Sequence, residues 1–131
     1  MDLCGSFTPA DLTKAVGETF VACKQTVTTD AVDPTHVTTV AVYSESDHLR
    51  ILTVSYATNA AHALQTYHAE TKVPGLGDAA WFGDLAFDLQ VAYGQNVVTT
   101  RVGLRGMGGS DVLAVDKKVI NAVVGKLGLG G

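Results

Sequence analysis

Three successive segments with strand-like composition are the feature that most restricts how this chain can fold. They span residues 19–29, 35–45 and 49–57 and are rich in Thr and Val. In the second and third segments the side chains alternate between two sets, as expected when successive residues of a strand point to opposite faces. The connectors DAVDP and SESDH are short and turn-like. The sequence therefore predicts an antiparallel meander.

A short helix is predicted before these strands, in SFTPADLTKAVG. Thr8 is a favourable N-cap, Pro9 suits the first helical position, and Asp11 falls where a capping box places its acidic residue. Gly17 supplies the left-handed residue that commonly ends a helix.

The second half of the chain changes between helical and strand-like patterns. Residues 58–71 have helical composition, with Thr58 or Asn59 as the cap, and one apolar face is predicted for Ala60, Ala63, Leu64 and Tyr67. The segments AAWFGDLAFDLQVAYG and NVVTTRVGLRG are predicted strands. YGQN forms the hairpin turn between them, and FGDL divides the first segment into two.

The last predicted element is a helix in SDVLAVDKKVINAVVGKLG, capped by Ser110. We expect Asp116, Lys117 and Lys118 to face water, opposite an apolar stripe. The stripe consists of Val112, Val115, Val119, Ile120, Val123 and Leu127.

The resulting order is α-β-β-β-α-β-β-(β)-α. It predicts an α+β fold, with an antiparallel sheet of about five to six strands and helices packed on one face. At 131 residues the chain is expected to be one domain, 1–131, with a flexible tail at about 128–131.

Charge and hydropathy exclude several functional classes. The net charge is −4 and no basic cluster occurs, which argues against binding to nucleic acid or to an anionic membrane surface. No apolar run approaches the length of about 18 residues that spans a bilayer, so a soluble chain is expected. Met1 is followed by neither a basic nor an apolar leader segment, and we expect any export signal to lie outside this chain.

The two cysteines, Cys4 and Cys23, flank the first predicted helix. In an oxidising compartment a disulfide is the favoured interpretation, whereas in the cytosol they would be two unrelated thiols. The count alone does not decide between these. A metal site is not predicted, because no His stands at ligand spacing from them.

No constellation of catalytic side chains is visible. His62 and His68 are predicted on opposite sides of one helix, and His48 at a hairpin tip. In DAVDPTH, which ends at His36, Pro34 breaks the regular spacing and favours a solvated turn. No G-x-S-x-G motif occurs, and the glycine-rich GLRGMGGS lacks a phosphate-loop ending. We therefore predict no catalytic residue, no metal and no cofactor.

Aromatic residues suggest a ligand groove between the sheet and the helices. The candidates for its lining are Tyr43, Tyr56, Tyr67, Trp81 and Tyr93. The alternative, which we favour, is that they belong to the core, where large aromatic side chains usually lie.

The segment VPGLGDAAWF, residues 73–82, is predicted to be a corner between a helix and a strand. Pro74 ends the helix, Gly75 and Gly77 can adopt positive φ, and Asp78 can accept hydrogen bonds from exposed backbone N–H groups. Trp81 then enters the sheet.

This corner and the N-terminal CGSFTPADLTKAVG, taken with Cys23, resemble a group of small secreted actinobacterial lipoproteins of unknown function. The resemblance covers most of the chain, with the Val73–Trp81 corner as its most specific part, and departs from the pattern at 30–48. It implies an exported domain with a Cys4–Cys23 disulfide, tethered to the cell envelope by a lipid anchor absent from this chain. It carries over no catalytic residues.

The function predicted from these observations is a non-catalytic extracytoplasmic module that binds a protein, a glycan or a small apolar ligand. The alternative is a small enzyme or ligand carrier whose site is assembled from distant residues such as His36, His62 and Asp78. A third hypothesis is a cytosolic accessory protein with free thiols.

Overall fold

The computed structural model describes residues 1–46, 51–60, 71–83, 88–103 and 109–129, and shows an α+β fold. The helices are α1 (Leu3–Ser6), α2 (Pro9–Val16) and α3 (Gly109–Leu127). The strands are β1 (Ala22–Thr29), β2 (Val37–Ser44), β3 (Ile51–Ala57), β4 (Thr71–Lys72), β5 (Ala79–Gly83), β6 (Asp88–Tyr93) and β7 (Asn96–Gly103).

All described strands form one antiparallel sheet in the order β1-β2-β3-β7-β6-β5-β4. The predicted meander of β1, β2 and β3 is confirmed. The predicted division of the second apolar segment is also present, as β5 and β6. The described sheet has seven strands rather than five to six, because β4 adds a two-residue strand at one edge.

The β6–β7 hairpin closes as YGQN predicts. Tyr93 pairs with Asn96, so the loop consists of Gly94 and Gln95. Gly94 has φ of 63°. A positive φ at the first loop residue suits the right-handed twist of the flanking strands, and glycine adopts it without steric cost.

The two faces of the sheet have different surroundings. The inner face contacts the described helices: the Tyr43 hydroxyl donates to the Phe7 carbonyl, and Thr100 contacts Asp116 of α3. The main core lies between this face and the helices. Its largest fully buried side chains are Leu3, Phe7, Leu12, Tyr43, Leu52, Val54, Leu89, Val91, Val98, Val112, Val119 and Ile120. For the described helices, packing on one face is therefore confirmed.

The outer face carries the alternate residues of each strand. A small separate cluster of Ala60, Ala92 and Val97 lies there, with Trp81 packed against it. Trp81 belongs to this face because it pairs with Gln90, whereas its neighbours Ala80 and Phe82 point into the core.

Helix α2 begins and ends where the sequence predicts. The Thr8 side chain accepts a hydrogen bond from the Asp11 N–H, and Asp11 accepts from the Thr8 N–H, which completes the capping box. Gly17 ends the helix with φ of 87°. Because these signals act within one turn of the helix, they are readable without knowledge of the tertiary structure.

Helix α3 departs from the prediction at two residues. It begins at Gly109, so Ser110 lies inside it rather than at its N-cap. Asp116, expected to face water, is fully buried. It stands four residues after Val112 and four before Ile120, so helical periodicity puts its carboxyl on the core side despite its charge.

Helix α3 ends with a hydrogen-bonded turn at Gly128 and Leu129. Gly128 has φ of 70°, and the Leu129 N–H donates to the Val124 carbonyl at 3.0 Å. This is the long-range hydrogen bond of a Schellman motif, with Leu129 packed against the core. Of the tail predicted at 128–131, Gly128 and Leu129 take part in this motif, and 130–131 lie outside the described residues.

The helix predicted at 58–71 lies mostly outside the described residues. Its expected caps, Thr58 and Asn59, form a turn after β3, and Asn59 has φ of 50°. At the other end of the predicted segment, Thr71 belongs to β4.

Candidate functional site

Cys4 and Cys23 form a disulfide, as the family resemblance implied. The bond joins α1 to the beginning of β1. Beside it, the Cys4 N–H donates to Gln25 Oε1 at 2.9 Å, and Gln25 Nε2 donates to the Met1 carbonyl at 3.2 Å. A disulfide suggests a non-cytoplasmic environment, because thiols in the cytosol are kept reduced. No helix of the described part of the chain is long and apolar enough to cross a membrane.

The aromatic residues considered for a groove do not line one common surface. Tyr43, Tyr56 and Tyr93 lie on the inner face, whereas Trp81 lies on the outer face. Alternation along β5 separates them, because a one-residue step reverses the side of the sheet. Tyr67 lies outside the described residues.

The three inner-face tyrosines have structural contacts. The Tyr43 hydroxyl donates to the Phe7 carbonyl at 2.6 Å, and burial raises the pKa of Tyr43. The Tyr56 hydroxyl accepts from Asn96 Nδ2 at 2.9 Å. Tyr93 is half-buried at the hairpin end, and its pKa is raised by burial and by the nearby Asp78 carboxylate. These contacts place the tyrosines in the core or at its edge.

The segment from Pro74 to Asp78 forms a corner against the β6–β7 hairpin. Gly75 and Gly77 have φ of 84° and 51°. The Asp78 N–H donates to the Ala92 carbonyl at 2.8 Å, and its side chain accepts from the Gly94 N–H at 2.6 Å. Asp78 therefore fastens the corner to the hairpin with both its backbone and its carboxylate.

His36 and Asp78, considered together as parts of an assembled site, are not brought together. His36 precedes β2 and Asp78 precedes β5, four strand positions away. At about 4.8 Å per strand, the separation is roughly 19 Å. His62 lies outside the described residues.

The DAVDPTH segment forms the solvated turn that the sequence predicts. Asp30 accepts hydrogen bonds from the N–H groups of Val32 and Asp33, and Asp33 accepts from Thr35. These hydrogen bonds lower the pKa of Asp30 and of Asp33. Both carboxylates thus hold the turn itself, and the described residues contain no group of three or more side chains suited to a metal ion.

A surface groove of about 410 Å³ lies between α2 and α3 and is here named the α2–α3 groove. Its lining combines an apolar floor with charged and amide groups: Phe7, Asp11, Lys14, Ala15, Asn121, Ala122, Gly125 and Lys126. Three of the lining residues, Ala15, Ala122 and Gly125, are small, which leaves space between the two helices. A Cβ built on Gly125, which lines the groove, meets no atom of the described residues within 4 Å, so space is open at this position.

The acidic group of the groove is already engaged by the protein. Asp11 Oδ2 accepts from the N–H and the hydroxyl of Thr8, at 2.9 and 3.0 Å, and Asp11 Oδ1 lies 3.3 Å from Lys126 Nζ. The hydrogen bond from the Thr8 backbone lowers the pKa of Asp11, and the Thr8 hydroxyl and Lys126 lower it further. Asp11 therefore stays ionised and bridges α2 to α3.

Lys14 supplies a second positive charge at the groove. It is exposed, and no ion pair involving it is formed with the described residues. The Lys126 side chain is 56% exposed and extends over the groove from α3. The groove thus has an apolar floor, the exposed ammonium group of Lys14, and an ion pair between Lys126 and Asp11. This composition favours a ligand that carries both an apolar part and a negative charge.

A buried carboxyl lies apart from this groove, where α3 packs on β7. Asp116 Oδ1 accepts from the Thr100 hydroxyl at 2.9 Å, and both side chains are fully buried. Asp116 Oδ2 has no hydrogen-bond partner among the described residues. Burial raises the pKa of Asp116 to about 8, the Thr100 hydrogen bond opposes the shift, and the Asp88 carboxylate adds to it.

Sequence reasoning missed the residues of the groove and the buried carboxyl. For the groove, the only signal was the presence of small residues at Ala15 in one helix and at Ala122 and Gly125 in another. The sequence does not show that these two helices pack together. For Asp116, the helical spacing from Val112 and Ile120 indicated a buried position, whereas its charge led to the prediction that it faces water. Comparisons with protein-family models, curated proteins and solved structures found no match.

Proposed function

We propose that this chain is a non-catalytic, extracytoplasmic binding domain that holds a small amphipathic organic anion in the α2–α3 groove. The observation that carries the proposal is the composition of that groove. Ala15 and Ala122 offer an apolar surface above the buried Phe7 ring, while Lys14 and Lys126 offer positive charge beside it. Few polar groups around an apolar concavity are the usual construction of a small-molecule site.

The groove's own titratable groups support binding rather than catalysis. A general acid or base works best with a pKa near the working pH and an atom that is free to form a hydrogen bond with the substrate. Asp11 has neither, since its pKa is lowered and its oxygens are occupied by Thr8 and Lys126. Asp116 does have a raised pKa, but its carboxyl is sealed in the core and does not line the groove.

Titration with sodium dodecanoate, followed by amide NMR shifts, tests this proposal. We expect shifts concentrated at the backbone amides of Ala15, Ala122 and Gly125. Gly125→Leu should abolish binding, because its side chain would fill the open space at this position. It should not unfold the protein, since replacing a helix-interior glycine relieves an entropic cost of about 0.5–1 kcal/mol.

A matched pair of lysine variants tests the role of charge. Lys14→Gln should weaken dodecanoate binding several-fold, because the ammonium group at the groove is removed. Lys118→Gln removes the same charge from an exposed position of α3 that does not line the groove, and should leave the affinity unchanged. Equal binding by Gly125→Leu and the parent protein, or shifts centred on another surface, would contradict the proposal.

We further propose that the domain is tethered to the cell envelope by a lipid, as in the lipoproteins that it resembles. The Cys4–Cys23 disulfide supports export. It also bears on the anchor, because a sulfur bonded to Cys23 cannot carry a thioether-linked lipid. Mass spectrometry of protein extracted from cell membranes should therefore find the acyl groups on a residue other than Cys4. Recovery of unlipidated protein exclusively from the culture fluid would oppose the tether without affecting the groove.

A further inference from the structure

Strand β1 leaves one edge of the sheet open. It pairs with β2 residue for residue from Ala22 to Thr29, without a bulge, and its other side contacts no strand of the described sheet. Beyond Cys23 all its side chains are exposed. Exposed edges are usually protected by proline, bulges or several charges. Here Lys24 is the only charged residue of β1, and the strand contains no proline.

The hydrogen-bond alternation identifies which backbone groups face outward. The Asp30 N–H donates to the His36 carbonyl at 3.0 Å, so this pair is a hydrogen-bonded pair of the ladder. In an antiparallel ladder such pairs alternate with non-bonded ones. Consequently Thr28 and Thr26 exchange hydrogen bonds with β2, while the N–H and C=O groups of Gln25, Val27 and Thr29 point away from the sheet.

The outward-facing segment is self-complementary about Val27. If two copies pair antiparallel with Val27 opposite Val27, Gln25 of each copy stands opposite Thr29 of the other. Lys24 of each copy then stands opposite Asp30 of the other. Val27 is 49% exposed, so the two side chains would bury apolar area against each other.

At both ends of this pairing, a positive and a negative side chain are free to form an ion pair between the two copies. Lys24 and Asp30 are exposed, and neither forms an ion pair with the described residues. Asp30 uses Oδ1 for the N–H groups of Val32 and Asp33, which leaves Oδ2 for a lysine. A twofold arrangement would form the Lys24–Asp30 ion pair twice. This self-complementarity favours a second copy of this chain as the partner that pairs with the edge of β1.

We propose that this protein forms a twofold homodimer by antiparallel pairing of β1 with β1, centred on Val27 and flanked by Lys24–Asp30 pairs. The pairing joins two seven-stranded sheets into one continuous sheet. Contact along one edge buries less than the roughly 800 Å² per partner of a standard interface, so we expect a dissociation constant in the micromolar range.

Cysteine crosslinking tests the register. In a hydrogen-bonded antiparallel pair the Cα atoms are about 5.5 Å apart, within the span of a disulfide. Val27→Cys should therefore form a covalent dimer on mild oxidation. Thr29→Cys is the matched control: in this register its two thiols stand about four residues, roughly 13 Å, apart and should not crosslink.

Sedimentation equilibrium of the parent protein and three variants tests the interface itself. The parent should change from monomer to dimer across the micromolar range. Val27→Pro removes an outward N–H that β2 does not use, and should give a monomer. Lys24→Glu should weaken dimerisation at least tenfold by placing like charges opposite each other. Adding Asp30→Asn to Lys24→Glu keeps the turn acceptor and should recover part of the loss.

Two outcomes would overturn the dimer. One is a parent protein that stays monomeric into the millimolar range and gives no crosslink through Val27→Cys. The other is a dimer whose dissociation constant is unchanged by Val27→Pro and by Lys24→Glu. If Val27→Pro does not fold, the lysine variant still decides the question, because the Lys24 side chain is exposed on β1 and its replacement is not expected to disturb the core.

Discussion

The Thr100 hydroxyl donates a 2.9 Å hydrogen bond to Asp116 Oδ1 in the interior between β7 and α3. Thr100 stands between Val54 of β3 and Leu89 of β6, and these two side chains, like the Asp116 carboxyl, are fully buried. A carboxyl in such a place is more favourable neutral than ionised. This makes the stability of the protein depend on pH within the neutral range.

We predict that the free energy of unfolding falls as pH rises from about 5 to about 8. The folded protein holds the Asp116 proton up to a pKa of about 8, whereas the unfolded chain releases it near 4. The contribution is therefore full below about pH 4 and is lost as pH rises through about 8. The loss between about pH 5 and 7 should be roughly 2 kcal/mol. Urea unfolding at several pH values measures it.

Asp116→Asn is the control for this dependence. The amide keeps an oxygen for the Thr100 hydroxyl but does not titrate. In the variant, the slope of the unfolding free energy against pH should be smaller by the equivalent of about one proton. Near pH 8 the variant should be more stable than the parent. Asp11, Asp30 and Asp33 have lowered pKa values and act in the opposite direction at lower pH, so they do not produce this slope. An unchanged slope in Asp116→Asn would show that another group is responsible.

Removing the donor should destabilise the protein only while the carboxyl is present. Thr100→Val leaves Asp116 without any hydrogen bond among the described residues, which costs about 1–3 kcal/mol. In the background of Asp116→Val the same change should cost a few tenths of a kcal/mol, because no buried acceptor remains. The four proteins form a double-mutant cycle in urea. Equal effects of Thr100→Val in both backgrounds would mean that the hydrogen bond is not energetically significant.

Reduction of the disulfide should lower stability by about 3 kcal/mol. Cys4 and Cys23 are separated by 19 positions, and opening a loop of this length releases chain entropy to the unfolded state. Thermal unfolding with and without dithiothreitol measures the change. The double variant Cys4→Ser/Cys23→Ser should unfold at the temperature of the reduced protein and be insensitive to reductant. A reductant effect that persists in that variant would have another origin.

Two glycines of the corner should respond differently to alanine. Gly77 and Gly75 both have positive φ, which costs about 1–2 kcal/mol for a side-chain residue. A Cβ at Gly77 would also overlap the Ala92 carbonyl and the Val91 side chain, whereas none of the described atoms lies within 4 Å of one at Gly75. Gly77→Ala should therefore destabilise by at least 1 kcal/mol more than Gly75→Ala in thermal or urea unfolding. Equal losses would indicate that the corner shifts to admit the methyl group.

Several elements were predictable because their signals are local. The capping box of Thr8 and Asp11, the left-handed Gly17 and the Gly94–Gln95 hairpin each depend on neighbouring residues. Alternation likewise predicted the β1–β2–β3 meander. At the edges of the helix predicted at 58–71, Thr71 belongs to β4 instead, and hydrogen bonds to Val37, Thr35 and Asn96 hold Thr58 and Asn59 in a turn.

The sequence by itself determined the α+β class and the candidate cysteine pair, since composition and short-range patterns carry both. Only the tertiary structure decided which side of the sheet Trp81 occupies, that Ala15 and Gly125 line one groove, and that Asp116 is buried against Thr100. The physical reason is that these are contacts between segments distant in sequence. Their partners are set by strand order and helix packing, and no local pattern in the chain encodes them.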